Sequence, residues 1–134
     1  MHPSVHPHVV DDFSKIAPLP EVVSSPNVVC LMPDTDDAYA IFVPHRFMCW
    51  EIHGGVLETS REHSLEYLRD ALAWMKSNTP CRCVLSFVPK GNFRVFALDR
   101  AAGFKRVGVV EKCNPVSGEL RDMTLMALNM SGET

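Results

Sequence analysis

Glu51 and His53, in the stretch Cys49-Trp50-Glu51-Ile52-His53, are the side chains best suited by type and spacing to move a proton. The stretch reads as a strand, and strand alternation puts Cys49, Glu51 and His53 on one face with Trp50 and Ile52 on the other. An imidazole titrates near neutral pH, so the pair could extract a proton directly or through water. The competing reading is structural: Glu51 pairs with an arginine of a neighbouring strand, and His53 is a satisfied polar residue. Cys49 and His53 also suggest a nucleophile and its base. Four residues along a strand separate such side chains by about 13 Å, which excludes direct activation.

Other constellations carry less. Cys81-x-Cys83 places two thiols on one side of a strand, but no second pair at zinc-ligand spacing exists. His2, His6 and His8 are interleaved with Pro3 and Pro7. The prolines resist helix and sheet and no fourth ligand is suggested, so residues 1–8 are expected to be a loose arm and no metal is assigned. A phosphate-cradling P-loop and the dinucleotide glycine fingerprint are both absent. With 134 residues, a net charge of −3 and a pI near 6.0, the chain suits one domain with one core. That charge gives no electrostatic case for nucleic acid or an anionic membrane. Five cysteines, an odd number lying mostly in apolar stretches, favour reduced thiols. With no leader-like N-terminus and no apolar run of about 20 residues, a cytoplasmic, non-membrane protein is expected.

The elements that must hold these residues follow from periodicity. Val9, Val10, Phe13, Ile16 and Ala17 recur on one side of a helix ending before Pro18. Strands are expected at 28–32, 38–43 and 47–56, with connections short enough for an antiparallel meander. Thr59 and Glu62 form a capping box, and Leu65, Leu68, Leu72 and Met75 make a buried helical stripe that ends near Pro80. Residues 84–104 then read as strand, turn and helix in succession. Val84, Leu85, Phe87 and Val88 are the strand, Asn92 caps a helix over 93–102, and Gly103 sits at its C-terminal cap. Phe93, Phe96 and Ala97, with Arg100 or Ala101, would form the buried face of that helix. A strand at 105–113, a turn at 114–118 and a last strand at 121–128 close the chain, with Met123, Leu125 and Ala127 facing the core. Gly54-Gly55 would permit a bulge and a close backbone approach.

The order α-β-β-β-α-β-α-β-β, a mixed α/β sheet in one domain, is that of the GNAT acyltransferase superfamily, and local residues strengthen the likeness. In that family the second half commonly reads Asn, then Leu-Tyr six and seven positions on, then Gly-Phe. Asn92, Leu98, Gly103 and Phe104 fall on those positions. The similarity covers roughly residues 28–128, and the chain resembles small GNAT-like proteins of tailed bacteriophages, some of them described as head-assembly proteins.

The resemblance implies that strands 47–56 and 83–88 lie parallel and splay apart, with the pantetheine arm of acetyl-CoA in the wedge. That arm would pair with main chain at Gly55 and Val56, and Asn92 would be a further contact. The pyrophosphate would rest on helix-start amides around Arg61, His63 and Ser64, since a helix N-terminus offers unpaired N–H groups and partial positive charge. The family usually carries Arg or Gln, two spacers, Gly, one spacer, and Gly or Ala. Here the residues are Arg61, Ser64 and Glu66. Glu66, with Glu58 and Glu62, brings negative charge that Arg61 and His63 partly offset. Asp99 takes the place of the Tyr that commonly acts as acid, and an exposed Asp would be ionised and a poor one. The implied activity is acetyl transfer to an amine acceptor, with Glu51 or His53 as base. A catalytically inactive GNAT-shaped protein with an assembly or interaction role, its partners phage structural proteins, is the alternative. The exposed edge of the closing hairpin suggests a homodimer.

Overall fold

The computed structural model describes residues 8–9 and 27–131. Strands β1 (His8–Val9), β2 (Val29–Met32), β3 (Ala38–Pro44) and β4 (Cys49–Val56) come first. A 3-10 segment, Glu58–His63, leads into α1 (Ser64–Asn78), followed by β5 (Cys83–Pro89), α2 (Phe93–Ala101), β6 (Lys105–Val116) and β7 (Glu119–Asn129). All seven strands join one sheet in the order β1-β2-β3-β4-β5-β7-β6. Among the described residues only β4 and β5 pair in parallel. From β2 onward the expected mixed sheet and element order hold. The expected leading helix does not begin as supposed, because Val9 pairs with Leu31 as strand. Its other residues, 10–17, and most of the N-terminal arm lie outside the described residues.

One face of the sheet carries the core. Leu31, Ala40, Phe42, Trp50, Val84, Val88 and Met126 are buried there beneath Ala71, Leu72 and Met75 of α1, with Val95 and Phe96 of α2 packed alongside. Full burial of side chains of this size stabilises by about 1.5–3 kcal/mol each before conformational entropy is set against it. Both helices therefore lie over the strands that flank the β4–β5 junction. Arg69 donates from α1 to the Ala101 carbonyl at the end of α2, tying the two helices together.

Several local expectations need correction. Thr59 and Glu62 do not form a capping box: they sit inside the 3-10 segment, and α1 starts at Ser64 with no side-chain cap. The buried stripe is Leu68, Ala71, Leu72 and Met75, and Leu65 is not part of the core cluster. Phe93 is 81% exposed; the inward face of α2 is Val95, Phe96 and Asp99. The closing turn is the two-residue Ser117-Gly118, both at positive φ, so Asn114 and Pro115 belong to β6 beyond an irregular register. In β7 the core face is that of Met126 and Leu128, the opposite parity to Met123, Leu125 and Ala127, because Met126 pairs with Ser86 and Leu128 with Val84. Gly54 and Gly55 form no bulge, since β3 and β4 pair without interruption from Ala38↔Val56 to Pro44↔Trp50.

Candidate functional site

The parallel strands β4 and β5 are hydrogen-bonded neighbours over three residue pairs only, Cys49↔Cys83, Trp50↔Val84 and Glu51↔Leu85. Beyond them β4 stays with β3 as far as Val56, and β5 stays with β7 as far as Pro89. The two strands thus diverge, and residues 52–56 have no strand partner on their β5 side among the described residues. A cavity of about 410 Å³ occupies the opening. Ile52, His53, Gly54, Gly55 and Val56 form one wall, Ser86, Phe87 and Pro89 the other, and the starts of α1 and α2 complete it. Unpaired strand edge is rare in a sheet interior because buried N–H and C=O groups need partners. A slot-shaped ligand with amide groups of its own could supply them.

Gly55 owes its identity to the next strand. A Cβ there would lie 2.7 Å from Cε1 of the Tyr39 ring, so only glycine lets that ring lie across β4. The Tyr39 ring in turn belongs to the cavity lining.

The deep wall is polar. Ser86 donates to Asp99 Oδ2 at 2.6 Å, and both side chains are buried, at 6% and 5% exposure. Burial pushes the Asp99 carboxyl above the ordinary aspartate range, and the Ser86 hydroxyl only partly offsets this. Asp99 is therefore buried rather than exposed, and burial makes it hold its proton more firmly than a free aspartate does. At the mouth, Asn92 Oδ1 accepts the Val95 N–H at 3.2 Å, so its carbonyl oxygen caps α2 while the residue also lines the cavity.

The 3-10 segment sets the other end. Ser64, the first residue of α1, is 8% exposed, lines the cavity, and its Oγ has no hydrogen-bond partner among the described residues. A buried hydroxyl without a partner costs about 1–3 kcal/mol, a cost that an incoming hydrogen-bond partner would relieve. Val56 and Gly55 line the same space, but Arg61 and His63 do not. His63 instead stacks obliquely on Tyr67, ring centres 6.0 Å apart, with Nδ1 3.8 Å from Glu66 Oε1. Glu66 also stays out of the lining, so its carboxylate does not plug the slot. Tyr67 donates to Asp37 Oδ2 at 3.0 Å, which fastens the β2–β3 connection to α1 at this end.

Glu51 and His53 sit where the strands part, on the face away from α1, as alternation requires. The carboxylate bridges two imidazoles: Oε2 lies 2.8 Å from His53 Nε2 and Oε1 lies 2.7 Å from His45 Nε2. The partner is thus a pair of histidines rather than the arginine of the structural reading. His53, foremost, and then His45 hold the Glu51 carboxyl below the ordinary glutamate range against the opposing effect of burial. His53 is among the residues that line the cavity and Glu51 is not, so of the two His53 is the one placed nearer a ligand. With Nε2 turned to the carboxylate, its Nδ1 is left as the candidate base. Cys49 is no nucleophile here, since burial, with Cys83 beside it, pushes its thiol up to about 11. No cluster of three or more metal-ligating side chains occurs among the described residues.

Sequence reasoning passed over His45, Ser86, Tyr39 and Tyr67. Ser86 was detectable as the one polar residue in the apolar run 84–88. The others act through cross-strand register or a loop contact and leave no local signature.

No helix among the described residues is long and apolar enough to cross a membrane. No protein-family model matches the sequence, and no curated protein does. Solved structures do match. A GNAT-family acetyltransferase from Streptococcus pneumoniae superposes with a TM-score of 0.68 at 15% identity, over 84% of this chain and 72% of its own. The ribosomal-protein-S5-alanine acetyltransferase from Vibrio fischeri gives 0.70 at 11% identity, over 96% and 79%. Mycobacterium smegmatis RimJ, solved in complex with CoA-disulfide, gives 0.69 at 17% identity, over 76% and 53%. At such identities the likeness speaks to architecture, and the architecture of this chain is the GNAT acetyltransferase fold.

Proposed function

We propose that this chain is an acyl-CoA-dependent N-acetyltransferase acting on an amine in the cytoplasm. The observation that carries the reading is the divergence of β4 and β5 past Glu51↔Leu85, which leaves unpaired main chain beside a cavity that His53 helps to line. The residues present fit acetyl-CoA at two points: the open edge of residues 52–56 suits an amide-bearing arm, and the orphaned Ser64 hydroxyl at the start of α1 suits a phosphate oxygen. When bound, acetyl-CoA supplies the thioester acyl group. His53 Nδ1 takes the proton from the incoming ammonium, turning it into a nucleophile. Glu51 keeps the ring oriented. The amine nitrogen then forms the C–N bond at the thioester carbonyl as the C–S bond breaks; Asp99, its proton held more firmly by burial, can yield that proton to the departing sulfur, Ser86 stabilises the carboxylate left behind, and the second nitrogen proton leaves to water.

One observation favours a second reading, a GNAT-shaped protein that performs no transfer and serves assembly or interaction, as the phage likeness implies. Glu58, Glu62 and Glu66 lie in or beside the 3-10 segment, and Asp34, Asp36 and Asp37 lie in the β2–β3 connection, which Tyr67 fastens to α1. Negative charge so placed repels a pyrophosphate. A thermal shift with acetyl-CoA separates the two. Ligand at 100 times its dissociation constant stabilises the native state by about 2.7 kcal/mol, and Ser64→Trp should abolish the response. No response at about millimolar ligand would leave the second reading standing.

A further inference from the structure

His45 has no place in the slot lining, yet it shares the carboxylate that holds the candidate base. We infer that His45 is a positioning residue for proton transfer at His53, acting through Glu51; this rests on the transferase reading of the site. A glutamate with one imidazole partner can still turn about its side-chain torsions. With a ring nitrogen on each oxygen, at 2.7 and 2.8 Å, the carboxylate plane is fixed from both sides, and with it the direction of His53 Nε2.

The backbone is shaped to present His45. β3 ends at Pro44, opposite Trp50, and the chain turns back within four residues. The His45 N–H donates to the Cys49 carbonyl at 2.9 Å, and the Cys49 N–H donates to the Arg46 carbonyl at 3.0 Å. Phe47 takes φ of 60° to close this turn and leaves its ring 98% exposed. A bulky residue in the left-handed region with no packing in return indicates that the turn is constrained by something other than Phe47 itself. The contact that the turn delivers is His45 to Glu51.

Two accepted hydrogen bonds also decide the chemistry of Glu51. Its carboxylate is stabilised in the ionised form, so it is better fitted to orient the imidazole than to take the proton itself. His53 is thereby fixed in the tautomer with hydrogen on Nε2 and the lone pair on Nδ1.

His45→Asn and His45→Gln test this, because His45 is 40% exposed and both variants keep a polar side chain there. Only the Gln amide extends as far as the position of Nε2. His45→Asn is expected to lower kcat about tenfold with KM for acetyl-CoA unchanged, and His45→Gln to restore most of it. Nitrogen-15 spectra of the imidazoles should show a single Nε2–H tautomer for His53 in the wild-type chain and in the Gln variant, and a mixture in the Asn variant. Equal kcat in the two variants, or a His53 tautomer indifferent to both, overturns the inference. A wild-type chain that binds acetyl-CoA but shows no turnover counts against the transferase reading instead, and the tautomer spectra then decide the role of His45 by themselves.

Discussion

Ser86→Ala removes one hydroxyl from the middle of β5 and tests the buried Ser86–Asp99 pair. By packing alone the change should be harmless. Ser86 lies between Val84 and Val88 on the core face, and burying a hydroxyl there is less favourable than burying a methyl group. The hydrogen bond reverses that expectation, because Ser86 donates to a 5%-exposed carboxyl over 2.6 Å. A hydrogen bond to a charged acceptor contributes about 1.5–3 kcal/mol, and a buried acceptor stripped of its donor keeps its desolvation cost. The expected loss is therefore about 2 kcal/mol at neutral pH, or a fall in Tm of about 6–10 °C in a domain of this length. The sign with pH follows from Asp99. Its folded-state pKa is raised, so its contribution to stability is fully present below the ordinary aspartate value and is lost as pH rises through the raised value. Deleting the donor raises that pKa further. The cost of Ser86→Ala should accordingly be small near pH 4 and grow towards pH 8, read from urea unfolding at roughly those two values. Asp99→Asn retains an acceptor for Ser86 and should abolish the pH dependence. A Ser86→Ala chain as stable as the wild type, or more so, at both pH values would show that the hydroxyl is not holding an ionisable partner.

Gly55→Ala places a Cβ 2.7 Å from Tyr39 Cε1 and 3.0 Å from its Oη, so the ring must leave its seat on β4. A loss of about 1–3 kcal/mol is expected in chemical denaturation, and because Tyr39 lines the slot, the acetyl-CoA thermal shift should shrink with it. Phe47→Gly should do the opposite: the left-handed backbone is strained for Phe, its ring is almost wholly exposed, and relief is worth about 1 kcal/mol, visible as a Tm rise.

The unit from β5 to α2 was the most legible part of the sequence, because each of its signals is local. An apolar run, a Pro-x-Gly stop, an Asn cap and a terminal Gly are each satisfied by neighbours in the chain, and Asn92 caps Val95 as its type demands. β7 was legible as a strand but not in its facing. Met123, Leu125 and Ala127 on one side and Met126 and Leu128 on the other are both apolar, so alternation held no information and the register with β5 decided. The start of α1 failed for a different reason. Thr59 and Glu62 have capping-box spacing, but the chain leaving β4 must first turn, with the Leu57 N–H bound to the Asp37 carbonyl, and the 3-10 segment uses those residues to make that turn. His45 left no trace at all, since it meets Glu51 only after a hairpin folds it back.

The same division bears on function. If a cofactor arm is gripped by main chain along residues 52–56, few side chains are needed to keep that grip, and the slot can persist while identity to other GNAT folds falls to 11–17%. Altered motif positions such as Ser64 and Glu66 then weigh less than where their atoms lie. Ser64 lines the cavity and has a buried oxygen without a partner, while Glu66, whose Oε2 is likewise buried without a partner, is not part of the lining. What the main chain cannot supply is a path for a proton, and the polar side chains placed for one are two part-exposed imidazoles on one carboxylate where the strands part, and a buried hydroxyl on a carboxyl along the wall. A protein kept only for its shape would gain by replacing the buried Ser86–Asp99 pair with apolar residues of similar volume, because such pairs rarely stabilise more than the packing they displace. The pair's presence in the slot wall, within reach of whatever the slot admits, therefore argues for chemistry over scaffold.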